Sequence, residues 1–227
     1  MDFHNHNLWA IHIGEHEFWI TNTIMNTWII MGVLILLALA VRFSLKRFES
    51  TPKGFQNAVE ALVEIFRNFT ISTMGEKNKR FSAYFGSIFL FIMLSNLSGL
   101  VGLRPPTADL ATTLSLALLT FVMIHYYGIK TKGIKAYLKG YFEPFAFLFP
   151  INLMGELATP VSLSFRLFGN LLGGTIIMTL YYSIPFWPMK LGIPAALHVY
   201  FDMFSGILQT FIFVMLSMTF VAGALEE

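Results

Sequence analysis

The chain has no cysteine among its 227 residues and is poor in charged residues. The lack of cysteine excludes disulfides, thiolate metal ligands and cysteine nucleophiles. Aspartate, glutamate, lysine and arginine make up only 12% of the chain, against about 25% in a typical soluble domain. Because 56% of the residues are hydrophobic and the mean hydropathy is +0.65, the polar surface of a soluble fold is missing. The composition predicts an integral membrane protein.

The long apolar segments predict an all-α membrane protein with five crossings, each needing about 18 to 20 predominantly apolar residues. A further helix is expected to lie at the membrane interface, because Phe55, Val59, Leu62, Phe66 and Phe69 recur with helical spacing. We expect one membrane domain, residues 1–227, with an outer N-terminal segment (1–23), a first span (24–41), an amphipathic interfacial helix (55–74), a helical hairpin (81–129) and a tilted helical hairpin (141–224).

Lysine and arginine are unevenly distributed along the chain. Of the 15 basic residues, twelve fall in segments expected on one side of the membrane, whereas Arg104 and Lys190 fall on the other and Arg166 lies within a span. Basic residues concentrate in cytoplasmic loops. The distribution therefore predicts an N-terminus outside the cell and a C-terminus in the cytoplasm.

Arg166 interrupts the apolar run VSLSFRLFGNLLGGTIIMTLYY. An arginine facing lipid costs at least about 2.5 to 3.5 kcal/mol, so its side chain is expected to face protein or water. On a helix, Ser162, Gly169, Asn170 and Gly173 fall within about 60° of it, and small residues let another helix approach closely. The alternative is a structural arginine that reaches the interface or pairs with an acid.

A second polar stripe is expected on the last helix. His198, Asp202, Ser205, Gly206 and Gln209 follow i, i+4, i+7, i+8 and i+11 spacing, which places them on one face. His198 and Asp202 lie on the outer side of Arg166. An acid within a span is costly unless it is hydrated or paired. The alternative is that these side chains only form hydrogen bonds between helices.

Glu156 precedes Arg166 on the same helix and is expected on its inner side. The arginine would then separate two polar zones. Four further side chains either hydrate the outer zone or bond neighbouring helices: Ser95, Asn96, Ser98 and Ser115.

The segments ELATPVSLSFRLFGNLLGG and GILQTFIFVMLSM resemble subunit a of the bacterial rotary F-type ATP synthases. The resemblance implies a non-catalytic stator subunit whose two C-terminal helices face a rotating ring of c subunits. Two offset half-channels would reach the ring carboxylates, and Arg166 would prevent ions from passing directly between them. Asn170 and Gln209 would face the ring, together with the small residues Ser162, Gly169 and Gly173. Thr175 stands where some members carry an acid, so Asp202 is the expected outer acid.

The resemblance also implies partners and a location. The partners are the c ring, the peripheral stalk of b subunits, the rest of the complex and the lipid bilayer, with no nucleic acid, cofactor or metal. The location is the bacterial inner membrane. Protons are the expected ion and sodium the alternative, because the ion-binding carboxylate lies on the ring.

Two other classes of protein explain fewer features of the sequence. A secondary transporter would typically show internal repeats, which are not found in this sequence. A metalloenzyme would have to use the N-terminal histidines His4, His6, His12 and His16, but no HExxH motif is present.

Overall fold

The computed structural model describes residues 7–13, 16–44, 53–143, 145–184 and 192–226. In chain order the elements are β1 (Asn7–Ile13), β2 (His16–Thr21), α1 (Asn22–Ser44), α2 (Phe55–Met74), α3 (Ser82–Leu97), α4 (Leu110–Lys132), α5 (Ile134–Gly140), α6 (Phe149–Ser183), α7 (Ile193–His198) and α8 (Ser205–Leu225). Within these residues, five helical segments are long and apolar enough to cross a membrane. The predicted all-α membrane fold with five crossings is thus confirmed.

Local sequence explains where several helices begin and end. Asp109 caps α4, because its Oδ1 accepts a hydrogen bond from the backbone N–H of Ala111 at 3.0 Å. The same helix ends at Gly133, whose φ of 80° suits glycine. Pro150 lies in the first turn of α6, where its missing N–H breaks no helical bond.

The core is formed by α3, α4, α6 and α8. Their largest buried side chains include Phe85 and Ile92 of α3, Leu163 and Leu167 of α6, and Phe213 of α8. Buried hydroxyls also join these helices. Thr113 of α4 lies 3.1 Å from Ser164 of α6, and Thr120 donates to Ser217 of α8 at 3.1 Å. Such contacts matter in lipid, where helices gain little from burying apolar surface against each other.

α1 lies at the edge of this core and packs on α3 and the turn before α4. Its apolar side chains are largely exposed, for example Leu36 at 68%, as expected of a helix that faces lipid. One polar contact holds it in place, because Asn26 Nδ2 donates to the Arg104 carbonyl at 2.9 Å.

α2 is packed along its C-terminal half. Phe66 contacts the ring of Phe89, and Phe69 stacks on Phe211 at 5.1 Å between ring centroids. Phe55 and Leu62, on the N-terminal half of the predicted apolar stripe, are exposed. The interfacial location of this helix stays a prediction, as do the single-domain description and the tilt of the last two helices.

Two features were absent from the sequence-based expectation. The N-terminal segment forms an antiparallel hairpin of β1 and β2, in which His12 pairs with Glu17 and Ile13 with His16. His4 and His6 lie outside the described residues. The last helix also contains a π-helical turn, Val199–Phe204, between α7 and α8.

Candidate functional site

Arg166 lies on a face of α6 that the described part of the chain leaves uncovered. Arg166, Ser162 and Gly169 are exposed, and Asn170 and Gly173 are half-buried. The opposite face packs into the core through its buried leucines. Arg166 makes no hydrogen bond or ion pair with any residue in the described ranges. Since lipid would penalise this charge, the face needs a partner or water.

Asn170 and Ser205 join α6 to α8 one turn beyond Arg166. Ser205 Oγ lies 2.8 Å from Asn170 Nδ2 and 3.0 Å from Asn170 Oδ1. Gln209 is only 8% exposed, and its Nε2 is buried without a hydrogen-bond partner among the described residues. Other residues of this chain therefore cover most of Gln209, whereas a side chain that faces the ring should be exposed in the isolated subunit. The role of Gln209 at the ring stays a prediction.

The five polar residues of the last helix, which the sequence placed on one face, have different neighbours in the structure. Gly206 faces α3, where a Cβ on it would lie 3.2 Å from Asn96 Cβ. His198 and Asp202 line a separate cavity, and Ser205 contacts Asn170. The reason is the π-helical turn, which accommodates one additional residue and rotates the following faces by about 100°.

The first cavity, here the Asp202 cavity, has a volume of about 610 Å³. His198 Nδ1 lies 2.5 Å from Asp202 Oδ2, and Tyr182 Oη lies 3.0 Å from His198 Nε2. Its polar lining residues are Asn96, Arg104, Asp109, Thr175, His198 and Asp202. Arg104 Nη1 is buried and has no hydrogen-bond partner within the described ranges. The cavity thus contains two acids, one fixed cation and one imidazole.

The side chains proposed to hydrate the outer zone mostly bond protein. Asn96 lines the cavity but donates to the Gly206 carbonyl at 2.9 Å. Ser98 Oγ donates to the Ser95 carbonyl, and Ser115 Oγ donates to the carbonyl of Ala111 on its own helix. Ser95 Oγ is buried and unpaired among the described residues. Hydrogen bonding within and between helices is therefore the main role that the structure shows for these four side chains.

The second cavity, here the Glu156 cavity, has a volume of about 670 Å³. Its polar lining residues are Lys132, Tyr137, Tyr141, Glu143, Asn152, Glu156 and Thr159. The two tyrosine hydroxyls lie 3.0 Å apart. Burial raises the pKa of both tyrosines, and their mutual hydrogen bond raises that of Tyr141 further. Both hydroxyls are protonated at neutral pH, and they line the same cavity as Glu156.

The two cavities lie on opposite sides of Arg166 and share no lining residue. Along α6, Thr159 of one cavity and Thr175 of the other lie about 10 and 13 Å from Arg166 at 1.5 Å per residue. The last helix runs antiparallel to α6, since Asn170 meets Ser205 while Tyr182 meets His198. His198 and Asp202 therefore lie at one end of the helix pair, and Glu156 lies at the other.

The fold and this arrangement define a class: multi-spanning membrane proteins with two separated polar cavities and an uncovered intramembrane arginine between them. Residues 24–222 match the family model of the ATP synthase A chain. The chain belongs to this family, as the sequence motifs predicted. It is accordingly an ion-translocating membrane subunit of ATP synthase that works with the rest of that complex.

Individual relatives cover most of the chain. It is 36% identical to "ATP synthase subunit a, sodium ion specific" of Propionigenium modestum, with 94% of this chain and 77% of the relative aligned. It is 37% identical to ATP synthase subunit a of Moorella thermoacetica, with 93% of both chains aligned. A subunit a of Syntrophotalea carbinolica is also 37% identical, over 95% of this chain and 89% of the relative.

Sequence reasoning did not identify Tyr182, Tyr137, Tyr141 or Arg104 as site residues. Tyr182 meets His198 across 16 positions, and this pairing has no local signal. Arg104 stood out only as one of two basic residues on the outer side. The tyrosines resembled the many other aromatic residues of the apolar segments.

Proposed function

We propose that the chain is the stator channel of ATP synthase, with two offset half-channels that carry protons to and from the carboxylates of the c ring. The Asp202 cavity is the outer half-channel and the Glu156 cavity the inner one. The observation that supports this most is the separation of the two cavities by Arg166. Ion flow through them would couple to rotation and ATP synthesis, and no chemistry on ATP would occur in this chain.

The ring would lie against the uncovered face of α6. Small residues on that face, Ser162, Gly169 and Gly173, permit a close approach by another helix. A protonated ring carboxylate can face lipid, whereas an ionised one is stabilised near the Arg166 guanidinium and water. Arginine suits this position because it does not release its proton and so cannot become a relay.

Rotation would follow from the offset between the half-channels. One elementary charge moved through 100 mV gains about 2.3 kcal/mol. A ring site that loads from the Asp202 cavity must travel around the ring before it unloads into the Glu156 cavity, because Arg166 closes the short route. The potential drop is thereby converted into biased rotation.

The N-terminus lies outside and the C-terminus in the cytoplasm of a bacterial inner membrane, and the peripheral stalk of b subunits holds the chain in place. Protons are the proposed ion. Sodium is the alternative, because a relative is named as sodium ion specific.

Arg166→Ala tests the proposal in the complete complex reconstituted in liposomes. ATP-driven ion pumping should be lost, whereas assembly and ATP hydrolysis by the catalytic head should persist. Arg166→Lys should also pump poorly, since a buried ammonium is more strongly hydrated and can lose its proton. Arg67→Ala is the matched control, because Arg67 is exposed on α2 outside the apolar spans. Near-normal coupled pumping by Arg166→Ala would remove the barrier role.

A further inference from the structure

We propose that Gly128 and Tyr137 are positioning residues of the inner half-channel, because they hold α5 as a wall between the Glu156 cavity and the lipid. This inference rests on the proposed function of the Glu156 cavity. It gives the short helix α5 and the end of α4 a role in the access of water to Glu156.

The residues of α5 divide between two environments. Tyr137 and Gly140 line the Glu156 cavity. Ile134 and Leu138 do not line it, and they are 63% and 55% exposed. Exposed aliphatic side chains suit lipid, whereas an acid such as Glu156 is costly within a span unless it is hydrated or paired. α5 therefore stands between a polar cavity and an apolar surface.

The side chain of Tyr137 anchors α5 to α4. The structure describes every residue of α5, and Tyr137 is the only one that is not exposed. Its aromatic ring lies against Gly128, which is buried in α4. A Cβ on Gly128 would lie 2.6 Å from Tyr137 Cε2 and 3.2 Å from its Cδ2. Because real Cβ atoms essentially never show contacts under 3.0 Å, any side chain at position 128 would displace the aromatic ring.

Further contacts link this anchor to the opposite side of the cavity. The ring of His125, about one turn before Gly128 on α4, has its centroid 6.0 Å from that of Tyr137. The Tyr137 hydroxyl lies 3.0 Å from the hydroxyl of Tyr141. Asn152 of α6 donates to the Tyr141 carbonyl at 2.9 Å, which attaches the end of α5 to α6. A displaced Tyr137 ring would disturb these contacts and move α5 away from the cavity.

The test measures the access of water to the Glu156 cavity in the complete complex, reconstituted in liposomes with its cytoplasmic side outward. A single cysteine, Thr159→Cys, reports on this cavity through its rate of labelling by a membrane-impermeant thiosulfonate. Gly128→Ala should lower this rate by about tenfold, because lipid reaches the cavity and disfavours the reactive thiolate. Without the added cysteine, Gly128→Ala should lower ATP-driven proton pumping, followed with a pH-sensitive dye, by about tenfold, as for a lost acid–base group.

Two controls separate this effect from a general loss of structure. Gly32→Ala adds the same methyl group to α1, where a Cβ would meet nothing within 4 Å, and it should leave labelling and pumping unchanged. Thr175→Cys lies in the Asp202 cavity. With the reagent enclosed in the liposomes, it should be labelled at its normal rate in the Gly128→Ala variant.

A double variant tests whether Gly128 acts through Tyr137. Tyr137→Ala alone should slow the labelling of Thr159→Cys, because it removes the anchor of α5. Adding Gly128→Ala should then change the rate by less than about twofold, since the aromatic ring that the new Cβ would displace is already gone.

Three results would overturn the proposal: unchanged or faster labelling of Thr159→Cys in the Gly128→Ala variant, normal pumping by Gly128→Ala, or additive losses in the double variant. If Gly128→Ala fails to co-purify with the c ring, Tyr137→Ala decides, and labelling of Thr159→Cys at the wild-type rate in that variant rejects the wall. The proposed stator function fails separately, through coupled pumping by Arg166→Ala, which does not affect the labelling results.

Discussion

At the scale of single residues, charge and hydrogen bonding separate the roles of the polar groups within the spans. Arg166 is uncovered and has no hydrogen-bond or ion-pair partner among the described residues. Asp202 has an imidazole partner within the chain. Glu156 lines a different cavity, together with Tyr137 and Tyr141. The three charges therefore do not form one internal salt-bridge network.

Asp202→Asn and Glu156→Gln should impair different steps, because the two acids line cavities on opposite sides of Arg166. Asp202→Asn should slow passive proton uptake from the outer side by about tenfold or more, the range of a lost acid–base group. Glu156→Gln should slow proton exchange with the inner side. Both rates can be measured in liposomes with a potassium diffusion potential of either sign.

Asp109→Asn is not a suitable control because Asp109 also lines the Asp202 cavity. Glu76→Gln serves better, since Glu76 is exposed and pairs only with Lys79 at 3.0 Å in the described structure. Equal slowing of both directions by Asp202→Asn and Glu156→Gln would contradict separate half-channels.

At the scale of helices, a few buried polar contacts fix how the elements pack. Asn96 of α3 donates to the Gly206 carbonyl at 2.9 Å and to Thr210 at 3.1 Å, and it accepts from Thr107 at 2.7 Å. It is 1% exposed. One side chain thereby links α3, α8 and the turn before α4, next to the outer cavity.

Asn96→Ala should lower the free energy of unfolding by about 1–3 kcal/mol, since it leaves the Thr107 hydroxyl buried without its acceptor. Thermal unfolding of the complex in detergent measures the change. Ser115→Ala is the control and should stay within about 0.5 kcal/mol, because Ser115 is exposed and its hydroxyl donates to the Ala111 carbonyl of its own helix. Equal unfolding temperatures for the two variants would exclude Asn96 as a structural tie.

The π-helical turn also sets the rotation about the helix axis between the residues before it and the residues after it. Deleting Met203, which is 47% exposed in the turn, should restore α-helical hydrogen bonding and rotate His198 and Asp202 by about 100° relative to Ser205 and Gln209. Proton pumping should be lost although the chain still inserts and assembles.

Met203→Ala is the matched control for this deletion, because it removes the side chain but keeps the residue count of the turn. Co-purification with the ring reports assembly, and the pH-sensitive dye reports pumping. Normal coupling after the deletion would show that the rotation between the two halves of the last helix is unimportant.

At the scale of the whole molecule, the two cavities should open to opposite sides of the membrane. The absence of native cysteine allows single cysteines to be labelled with a membrane-impermeant thiosulfonate. Thr175→Cys, in the Asp202 cavity, should react from the outer side only. Thr159→Cys, in the Glu156 cavity, should react from the cytoplasmic side only.

Cysteines at Val101 and Lys130 provide orientation controls, because both positions are exposed near the ends of helical segments and neither lines a cavity. Leu163→Cys should not react, since Leu163 lies between the cavities on α6 and is 2% exposed. Labelling of Thr159→Cys and Thr175→Cys from the same side would reject the offset arrangement.

The sequence alone determined the membrane class, the five crossings and the identity of the arginine-bearing helix. These properties depend on composition and local spacing: apolar runs longer than the hydrocarbon core, basic residues between them, and a motif around Arg166. The hairpin of β1 and β2 was not predicted, because its strands are only 7 and 6 residues long. The π-helical turn depends on a shift in backbone hydrogen bonding that side-chain periodicity does not reveal.

Only the tertiary structure decided which polar groups meet. Asn96 and Thr210 are 114 positions apart, and Tyr182 and His198 are 16 apart. Their contacts depend on the packing of α3, α6 and α8, which hydropathy leaves open. The sequence placed His198, Asp202 and Gln209 on one face, whereas packing around the π-helical turn separated the first two from Gln209. The cavities likewise depend on packing, because their lining residues come from distant parts of the chain, such as Asn96 and Asp202 in one cavity and Tyr137 and Phe220 in the other.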